Sequence, residues 1–169
     1  TAPGWTAAQT GGFAGVADLT GDGTPEVVQS LSGNIYVYST AGSLLWNYNI
    51  AGASQSGVPV LADMNGDGIL DIGVSRNGGY TVVNGSTHGL LWSVSTGGNQ
   101  IYGSTGADLN GDGTTEILYA DSAAFYIFDG ASGSTLSSQT SYSGTQATLS
   151  SPLVVDYDGD GNAEILLPA

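Results

Sequence analysis

The chain is poor in positive charge and in the side chains that carry most enzymatic chemistry. Among 169 residues there is one Arg (Arg76) and one His (His88), and Lys and Cys are absent. With a formal net charge of −14, the chain cannot replace the counterions of a phosphate backbone, which excludes nucleic acid as a partner. An anionic membrane surface is excluded for the same reason. The absence of cysteine means that disulfides give no guide to the compartment.

Long apolar runs are absent as well. No apolar stretch reaches the roughly 18 residues that a membrane-spanning helix needs, so no membrane span is expected. No signal peptide is recognisable and residue 1 is Thr, so we expect a mature product or an excerpt of a longer chain. The length suits one domain with a hydrophobic core.

The chain does contain a nine-residue acidic segment that occurs four times, at 18–26, 63–71, 108–116 and 156–164. We call these segments loops 1 to 4. In each, oxygen-bearing side chains occupy positions 1, 3, 5 and 9, and glycines occupy positions 4 and 6. This spacing is typical of a loop wrapped around a hard cation, with a backbone carbonyl at position 7 as a further ligand. The candidate metal ligands are Asp18, Thr20, Asp22, Thr24 and Glu26; Asp63, Asn65, Asp67, Ile69 and Asp71; Asp108, Asn110, Asp112, Thr114 and Glu116; and Asp156, Asp158, Asp160, Asn162 and Glu164.

Ordinary Asn-Gly or Asp-Gly hairpin turns are the alternative interpretation of these segments. The distribution of charge favours cations, because 13 of the 15 acids lie in the four loops and only Asp121 and Asp129 lie outside. Ligands that offer only oxygen favour Ca²⁺ over zinc or copper, and Mg²⁺ tolerates a crowded protein cage poorly. We therefore expect up to four Ca²⁺, which would reduce the net charge from −14 to −6.

The loops begin at 18, 63, 108 and 156, and a period of about 45 residues with several short strands indicates a propeller blade. The fold class predicted is all-β, with the cation loop as the hairpin between strands A and B of each four-stranded antiparallel blade. We expect residues 1–169 to form a single propeller domain or segment of about three and a half to four blades, with repeats near 10–54, 55–99, 100–147 and, partial, 148–169. The predicted strands are A at 13–17, 58–62, 101–107 and 152–155; B at 26–31, 71–75, 116–120 and 164–167; C at 34–39, 80–84 and 124–129; and D at 44–50, 90–96 and 135–139.

The positions of the tryptophans agree with these strand assignments. Trp46 and Trp92 lie in D strands, and we expect them to pack between blades. Because Trp5 precedes loop 1 much as the other tryptophans precede the next loops, we expect residues 4–9 to be the D strand of a preceding blade. The predicted strands end with the B strand of a fourth blade. An uncovered strand edge there predicts head-to-tail association into rings or filaments, unless the chain is an excerpt.

The loop pattern D-x-[NT]-G-D-G-x-x-[DE] between two strands, repeated every 45 residues, resembles the FG-GAP/VCBS repeats of integrin α-subunit propellers and of many secreted propellers. The resemblance implies four-stranded blades arranged radially, with calcium loops on one rim. EF-hand or dockerin units are the alternative for the motif alone. They need a helix and a Glu at position 12, where this chain has Gln29, Val74, Tyr119 and Leu167.

Catalysis is poorly supported. His88 is expected to be an exposed turn residue without a catalytic role. Arg76 is expected to face solvent at the end of a strand. No Ser/His/Asp or Cys/His set can be assembled. Asp129 is interpreted as a turn residue equivalent to Asn84, and removal of Asp121 is expected to do little. Asn84-Gly85-Ser86 is a glycosylation sequon, and we expect Asn84 to be exposed there.

The favoured function is a non-catalytic, extracellular, calcium-stabilised propeller with a structural, adhesive or assembly role. Its partner would be a protein or carbohydrate on a propeller face, or another copy of the chain. A lectin that stacks sugars on surface aromatics is an alternative, and so is a propeller domain of a larger secreted enzyme. Calcium loops that bind at about 10⁻⁴–10⁻³ M are typical of extracellular modules.

Overall fold

A computed structural model describes residues 11–99, 103–140, 151–160 and 163–167 of the chain. In these residues the secondary structure is entirely β, in four antiparallel sheets of four, four, four and two strands. Each sheet is a meander in which strands adjacent in sequence are adjacent in space. No helix in the described part of the chain has the length and apolar character needed to cross a membrane.

The sheets follow one another along the chain. Sheet 1 contains β1 (Phe13–Ala17), β2 (Glu26–Leu31), β3 (Asn34–Ser39) and β4 (Leu44–Asn49). Sheet 2 contains β5 (Val60–Ala62), β6 (Asp71–Arg76), β7 (Gly79–Val83) and β8 (Leu90–Ser95). Sheet 3 contains β9 (Ser104–Ala107), β10 (Glu116–Ala120), β11 (Phe125–Phe128) and β12 (Thr135–Gln139). The terminal hairpin contains β13 (Leu153–Val155) and β14 (Glu164–Leu166).

The predicted strands and the all-β class are confirmed over the described residues, with most strand ends within a residue or two of the prediction. Each loop joins the first two strands of a sheet, as expected for strands A and B. The proposed D strand around Trp5 and part of the predicted 101–107 strand lie outside the described residues.

Successive sheets pack face to face, and each of three hydrophobic clusters lies between two of them. The first joins Val28 and Ile35 of sheet 1 to Ile72 of sheet 2. The second joins sheet 2 to sheet 3, and the third joins sheet 3 to the terminal hairpin. Burial of the strands follows from this order. All five residues of β7 and of β10 are buried because these strands are covered on both faces, whereas burial alternates along β2.

The contacts between successive sheets concentrate on their first strands: β1 contacts β5, β5 contacts β9, and β9 contacts β13. Gly106 of β9 shows how close this approach is, because a Cβ atom there would lie 3.0 Å from a methyl group of Val60 in β5. The first strands therefore form a common line along which the sheets are stacked.

The tryptophans repeat one inter-sheet contact. Trp46 of β4 stacks on His88 in the β7–β8 turn of sheet 2, with ring centroids 4.4 Å apart. Trp92 of β8 covers Gly133 in the β11–β12 turn of sheet 3, and its indole N–H donates to the Gly130 carbonyl at 2.6 Å. The prediction that these two tryptophans pack between repeats is confirmed.

Trp92 gives a direct test of the packing between sheets 2 and 3. It is 6% exposed and contacts Tyr80 and Phe128, so Trp92→Ala should lower the free energy of unfolding by about 3–5 kcal/mol. Leu136→Ala is the control, because Leu136 is 56% exposed on β12. Chemical denaturation of both variants measures the difference, and equal losses would contradict the packing described here.

Candidate metal centres

Each acidic loop is folded around the carboxylate at its first position. In loop 1, Oδ1 of Asp18 accepts the backbone N–H of Gly21 at 2.8 Å and of Asp22 at 3.2 Å, and Oδ2 accepts that of Gly23 at 2.7 Å. Hydrogen bonds from these amides, above all Gly23, hold the pKa of Asp18 below its ordinary value. Gly21 and Gly23 have φ values of 73° and 84°, which explains why glycine occupies positions 4 and 6.

The same pattern recurs in the other loops. Positions 4, 5 and 6 donate to Asp63 at 2.7, 3.1 and 2.8 Å, and to Asp108 at 2.7, 3.2 and 3.0 Å. In loop 4, positions 4 and 5 donate to Asp156 at 2.7 and 3.1 Å. The loops therefore share one backbone conformation that is set by the first carboxylate.

The carboxylate at position 9 ties the end of each loop to its beginning. Oε2 of Glu26 accepts the backbone N–H of Leu19, at position 2, at 2.9 Å. The corresponding bonds to Asp71, Glu116 and Glu164 measure 3.1, 2.8 and 2.8 Å. Position 9 is the first residue of the second strand, so this bond fixes where that strand starts.

Positions 3 and 5 are linked to each other at the exposed tip of loops 2, 3 and 4. In loop 3, Asp112 accepts the N–H of Thr114 at 2.8 Å and its hydroxyl at 2.6 Å. These bonds, the Thr114 hydroxyl first, lower the pKa of Asp112. Asn110 accepts the Asp112 N–H at 2.8 Å and donates its amide to Asp112 at 2.9 Å. The candidate side chains at the tip are thus held in place by the loop itself.

Among the loop carboxylates in the described residues, only Glu116 has a buried oxygen without a hydrogen-bond partner. It is 1% exposed; Oε2 accepts the Leu109 N–H, and the buried Oε1 has no hydrogen-bond partner. Burial, followed by the negative charges of Asp112, Asp108 and Asp129, raises the pKa of Glu116 above its ordinary value. A buried oxygen without a partner costs free energy, and a cation is the partner that would also neutralise the surrounding charge.

Loop 4 brings its acids together most closely. Asp156, Asp158 and Glu164 each place an oxygen within 4.8 Å of the others, and no other group of three acids meets this spacing in the described residues. Loops 1 to 3 have Thr20, Asn65 and Asn110 at position 3, which contribute neutral oxygen. Hard oxygen donors at this spacing suit Ca²⁺.

The predicted carbonyl ligands at position 7 stay predictions. The N–H groups of Thr24, Ile69 and Thr114 donate to the position-5 carboxylate at 2.7, 2.9 and 2.8 Å, and these bonds do not test where the carbonyls lie. Asn162 lies outside the described residues.

Loop 2 differs from loop 3 at position 9. Asp71 is 0% exposed, and Oδ2 accepts the Met64 N–H at 3.1 Å. Oδ1 accepts the Gly85 N–H at 3.0 Å and the Asn84 side-chain amide at 3.2 Å. Burial raises the pKa of Asp71 despite these donors. Both oxygens of this carboxylate therefore have protein partners.

Asn84 is not exposed, which corrects the expectation for its sequon. The residue is 6% exposed, its amide nitrogen donates into loop 2, and its Oδ1 accepts the Thr87 N–H at 2.7 Å. The β7–β8 turn brings Asn84 against loop 2, a contact that no local pattern indicates. Glycosylation of Asn84 stays a prediction, and a glycan on this nitrogen would have to displace these hydrogen bonds.

Asp121 also corrects an expectation, since it is 1% exposed. Its carboxylate accepts the N–H groups of Ala123 at 2.7 Å, Ala124 at 3.0 Å and Gly98 at 3.2 Å. Loss of the carboxylate would leave these donors without their acceptor, at a cost of about 1–3 kcal/mol for each buried group. The Asp-Ser-Ala-Ala turn was the signal, because Asp commonly accepts N–H groups two residues further on.

Arg76 and His88 have structural contacts. Arg76 ends its strand as predicted but is half-buried, and its guanidinium donates to Thr81, Asn77, Ser93 and Val94 within 3.0–3.3 Å.

His88 is exposed as predicted, although its ring also stacks on Trp46. Asp129 is confirmed as a turn residue, because its carboxylate accepts the N–H and the hydroxyl of Ser132 at 2.8 and 2.6 Å.

Comparison with solved structures places this architecture among known folds. The crystal structure of the V. cholerae biofilm matrix protein Bap1 superposes with a TM-score of 0.78 at 14% identity, covering 98% of this chain and 54% of that one. BBS1N in complex with ARL6DN, soaked with lead, gives 0.63 at 8% identity, with 90% and 48% covered. A mercury-soaked crystal of the same complex gives 0.60 at 14% identity, with 86% and 40% covered. The chain spans about half the length of these structures or less.

No curated protein sequence matches the chain. A family model for the FG-GAP-like repeat matches residues 18–74 and 108–167. Each match begins at the first carboxylate of an acidic loop and runs through the next acidic loop. The repeated loop, the strands on either side of it and this match over most of the chain show that it belongs to the FG-GAP-like repeat family.

Proposed function

We propose that this chain is a non-catalytic, extracellular repeat protein whose acidic loops bind Ca²⁺ and thereby stabilise a β-propeller with a structural, adhesive or assembly role. The observation that carries the proposal is the buried Oε1 of Glu116, which has no partner among the described residues and lies in a loop that also contains Asp108 and Asp112. Calcium would supply both the missing contact and the missing positive charge.

The donor chemistry supports calcium among the common metals. The side chains concerned offer carboxylate, amide and hydroxyl oxygen, while zinc and copper prefer nitrogen and sulfur. The loops are exposed at their tips and fixed by backbone hydrogen bonds, which suits the flexible oxygen coordination of Ca²⁺ better than the strict octahedron of Mg²⁺.

The propeller is supported by the repetition of one relation between sheets. Successive sheets meet through their first strands, and the Trp46–His88 contact of sheets 1 and 2 recurs as Trp92–Gly133 in sheets 2 and 3. When the same relation is applied repeatedly about a common line, the sheets become blades arranged around an axis.

The non-catalytic role is supported by where the reactive residues lie. The single His stacks on Trp46, the single Arg is engaged by neighbouring strands, and 13 of the 15 acids belong to the loops. The biofilm matrix protein Bap1 provides a precedent for this fold outside the cell, and calcium loops of modest affinity suit that location.

Assembly is supported by the outer face of the terminal hairpin. Val154 and Ile165 pack against sheet 3, and the opposite face exposes Leu153 by 56% and Leu166 by 42%. These two leucines are paired across the strands, so they form one apolar surface. A second copy of the chain would cover this surface in a heterologous contact, which gives rings or filaments.

Calcium should raise the melting temperature of the protein. Binding to the folded state at 100-fold excess over Kd contributes roughly 2.7 kcal/mol per site, which corresponds to about 5–10 °C for each occupied loop. Asp112→Ala should remove one ion, counted by native mass spectrometry. Asp121→Ala is the control, because it should lower stability without changing the count. A parent protein that melts identically in calcium and in EDTA would refute the proposal.

Glu116→Gln should have opposite effects in EDTA and in calcium. In EDTA at neutral pH it should raise the melting temperature, because burial raises the pKa of Glu116 and the charged form therefore destabilises the folded state. This advantage should develop as pH rises above the ordinary value of 4.5, since the unfolded chain then loses a proton that the folded chain still holds. In calcium the variant should melt below the parent. Melting curves from pH 4 to pH 8 test both signs, and a lower melting temperature under every condition would contradict the argument.

The assembly role predicts a concentration-dependent mass in calcium. Size exclusion with light scattering should show species larger than one chain at micromolar concentration, and Leu153→Ser with Leu166→Ser should reduce them to monomers. Leu136→Ser is the matched control, because it changes an equally exposed leucine on β12. A monomeric parent protein would rule out assembly through the hairpin.

A further inference from the structure

The turns that join the third and fourth strands repeat with the same period as the loops. Asn84 begins this turn in sheet 2 and Asp129 begins it in sheet 3, 45 residues later. The N–H of His88 donates to the Asn84 carbonyl at 2.9 Å, and that of Gly133 donates to the Asp129 carbonyl at 2.8 Å. Asn84 and Asp129 are therefore structural equivalents.

Each turn lies directly against the acidic loop of its own sheet. A Cβ atom on Gly85 would be 2.0 Å from the carbonyl oxygen of Leu70, and one on Gly130 would be 2.1 Å from that of Thr115. Leu70 and Thr115 both occupy position 8 of their loops. The residue before each glycine, Asn84 or Asp129, is thereby held beside the loop carboxylates.

In sheet 2 this residue places a hydrogen-bond donor between two carboxylates. The amide nitrogen of Asn84 lies 3.2 Å from Oδ1 of Asp71 and 3.4 Å from Oδ2 of Asp67. Its orientation is fixed because Oδ1 of Asn84 must accept the Thr87 N–H at 2.7 Å. The partial positive charge of the amide thus lies where loop 2 would need a cation.

In sheet 3 the equivalent residue has no donor to offer. The Asp129 carboxylate can only accept hydrogen bonds and does so from Ser132, and Oε1 of Glu116 is buried without a partner. Loop 3 therefore has three carboxylates and receives no side-chain donor from residue 129, whereas in loop 2 the Asn84 amide neutralises part of the charge of three carboxylates. The two loops share a motif, but only in loop 3 does the position-9 carboxylate keep a buried oxygen that a cation could contact.

We propose that Asn84 closes loop 2 to calcium and that the ion is held by loop 3, so that the residue at the start of the neighbouring turn decides which acidic loops bind metal. This selection rests on the calcium function proposed above. In sheet 2 the Asn84 amide would take the place of the ion. It would stabilise the β5–β6 hairpin whether or not calcium is present.

The parent protein can be tested by NMR with two matched reporters. The N–H of Gly68 donates to Asp63 in loop 2, and that of Gly113 donates to Asp108 in loop 3, at the same position. In a calcium titration to saturation the Gly113 resonance should shift and the resonances of Gly68 and of the Asn84 side-chain amide should not. Shifts at both glycines would overturn the selection and leave the calcium function intact. A shift at neither, or at Gly68 alone, would also overturn the selection; the calcium function itself would fail only if no loop amide shifted and the melting temperature did not change with calcium.

Asn84→Asp tests the same point by gain of binding. Replacing the amide by a carboxylate should open loop 2, so native mass spectrometry in calcium should count one more ion than in the parent protein. Asn47→Asp is the control, because it makes the same charge change at an exposed position of β4 and should add no ion. An unchanged count in Asn84→Asp, or an equal gain in the control, would overturn the role given to Asn84.

Discussion

The structure depends on carboxylates that accept backbone N–H groups within the acidic loops. Asp18 holds three amides of loop 1, and Glu26 holds the amide of Leu19, so both ends of the loop are fixed by charged acceptors. Hydrogen bonds to a charged acceptor are about twice as strong as neutral ones. The two strands therefore leave the loop in one register, with Ala17 opposite Glu26. The glycines of the motif serve this folding role as well as any role in ion binding.

The fixed register decides which side chains reach the cores between sheets. A shift by one residue would turn every side chain of a strand to the opposite face. In sheet 2 this matters twice, because Ile72 and Val74 pack towards sheet 1 while Tyr80 and Val82 pack towards sheet 3. A disturbed loop 2 would consequently loosen two interfaces. The acidic loops, although they lie at the surface, thus control burial on both sides of a sheet.

Local patterns predicted the strands, because alternation and turn residues act over a few neighbours. They did not reveal the contacts made across a turn. Asn84 and Asp121 were expected to be unimportant or exposed, yet both are buried by segments distant in sequence. The sequence analysis also did not identify a β-bulge that shifts the register after Val37, Val82 and Ile127, although it follows the 45-residue period. The extra residue is a leucine of the fourth strand each time, Leu45, Leu91 or Leu136, and this recurrence was the available signal.

The candidate metal centres show why a motif alone does not define a site. Loops 2 and 3 have carboxylates at the same positions, and in both the ninth residue is buried and accepts the N–H of the second. Asp71 is one methylene shorter than Glu116, and its remaining oxygen meets Gly85 and Asn84. The remaining oxygen of Glu116 meets no donor. Because a buried carboxylate needs either donors or a cation, the neighbouring turn determines the chemistry that the motif can perform. On our proposal, cation binding in this chain is thus a property of a loop together with the turn that packs against it.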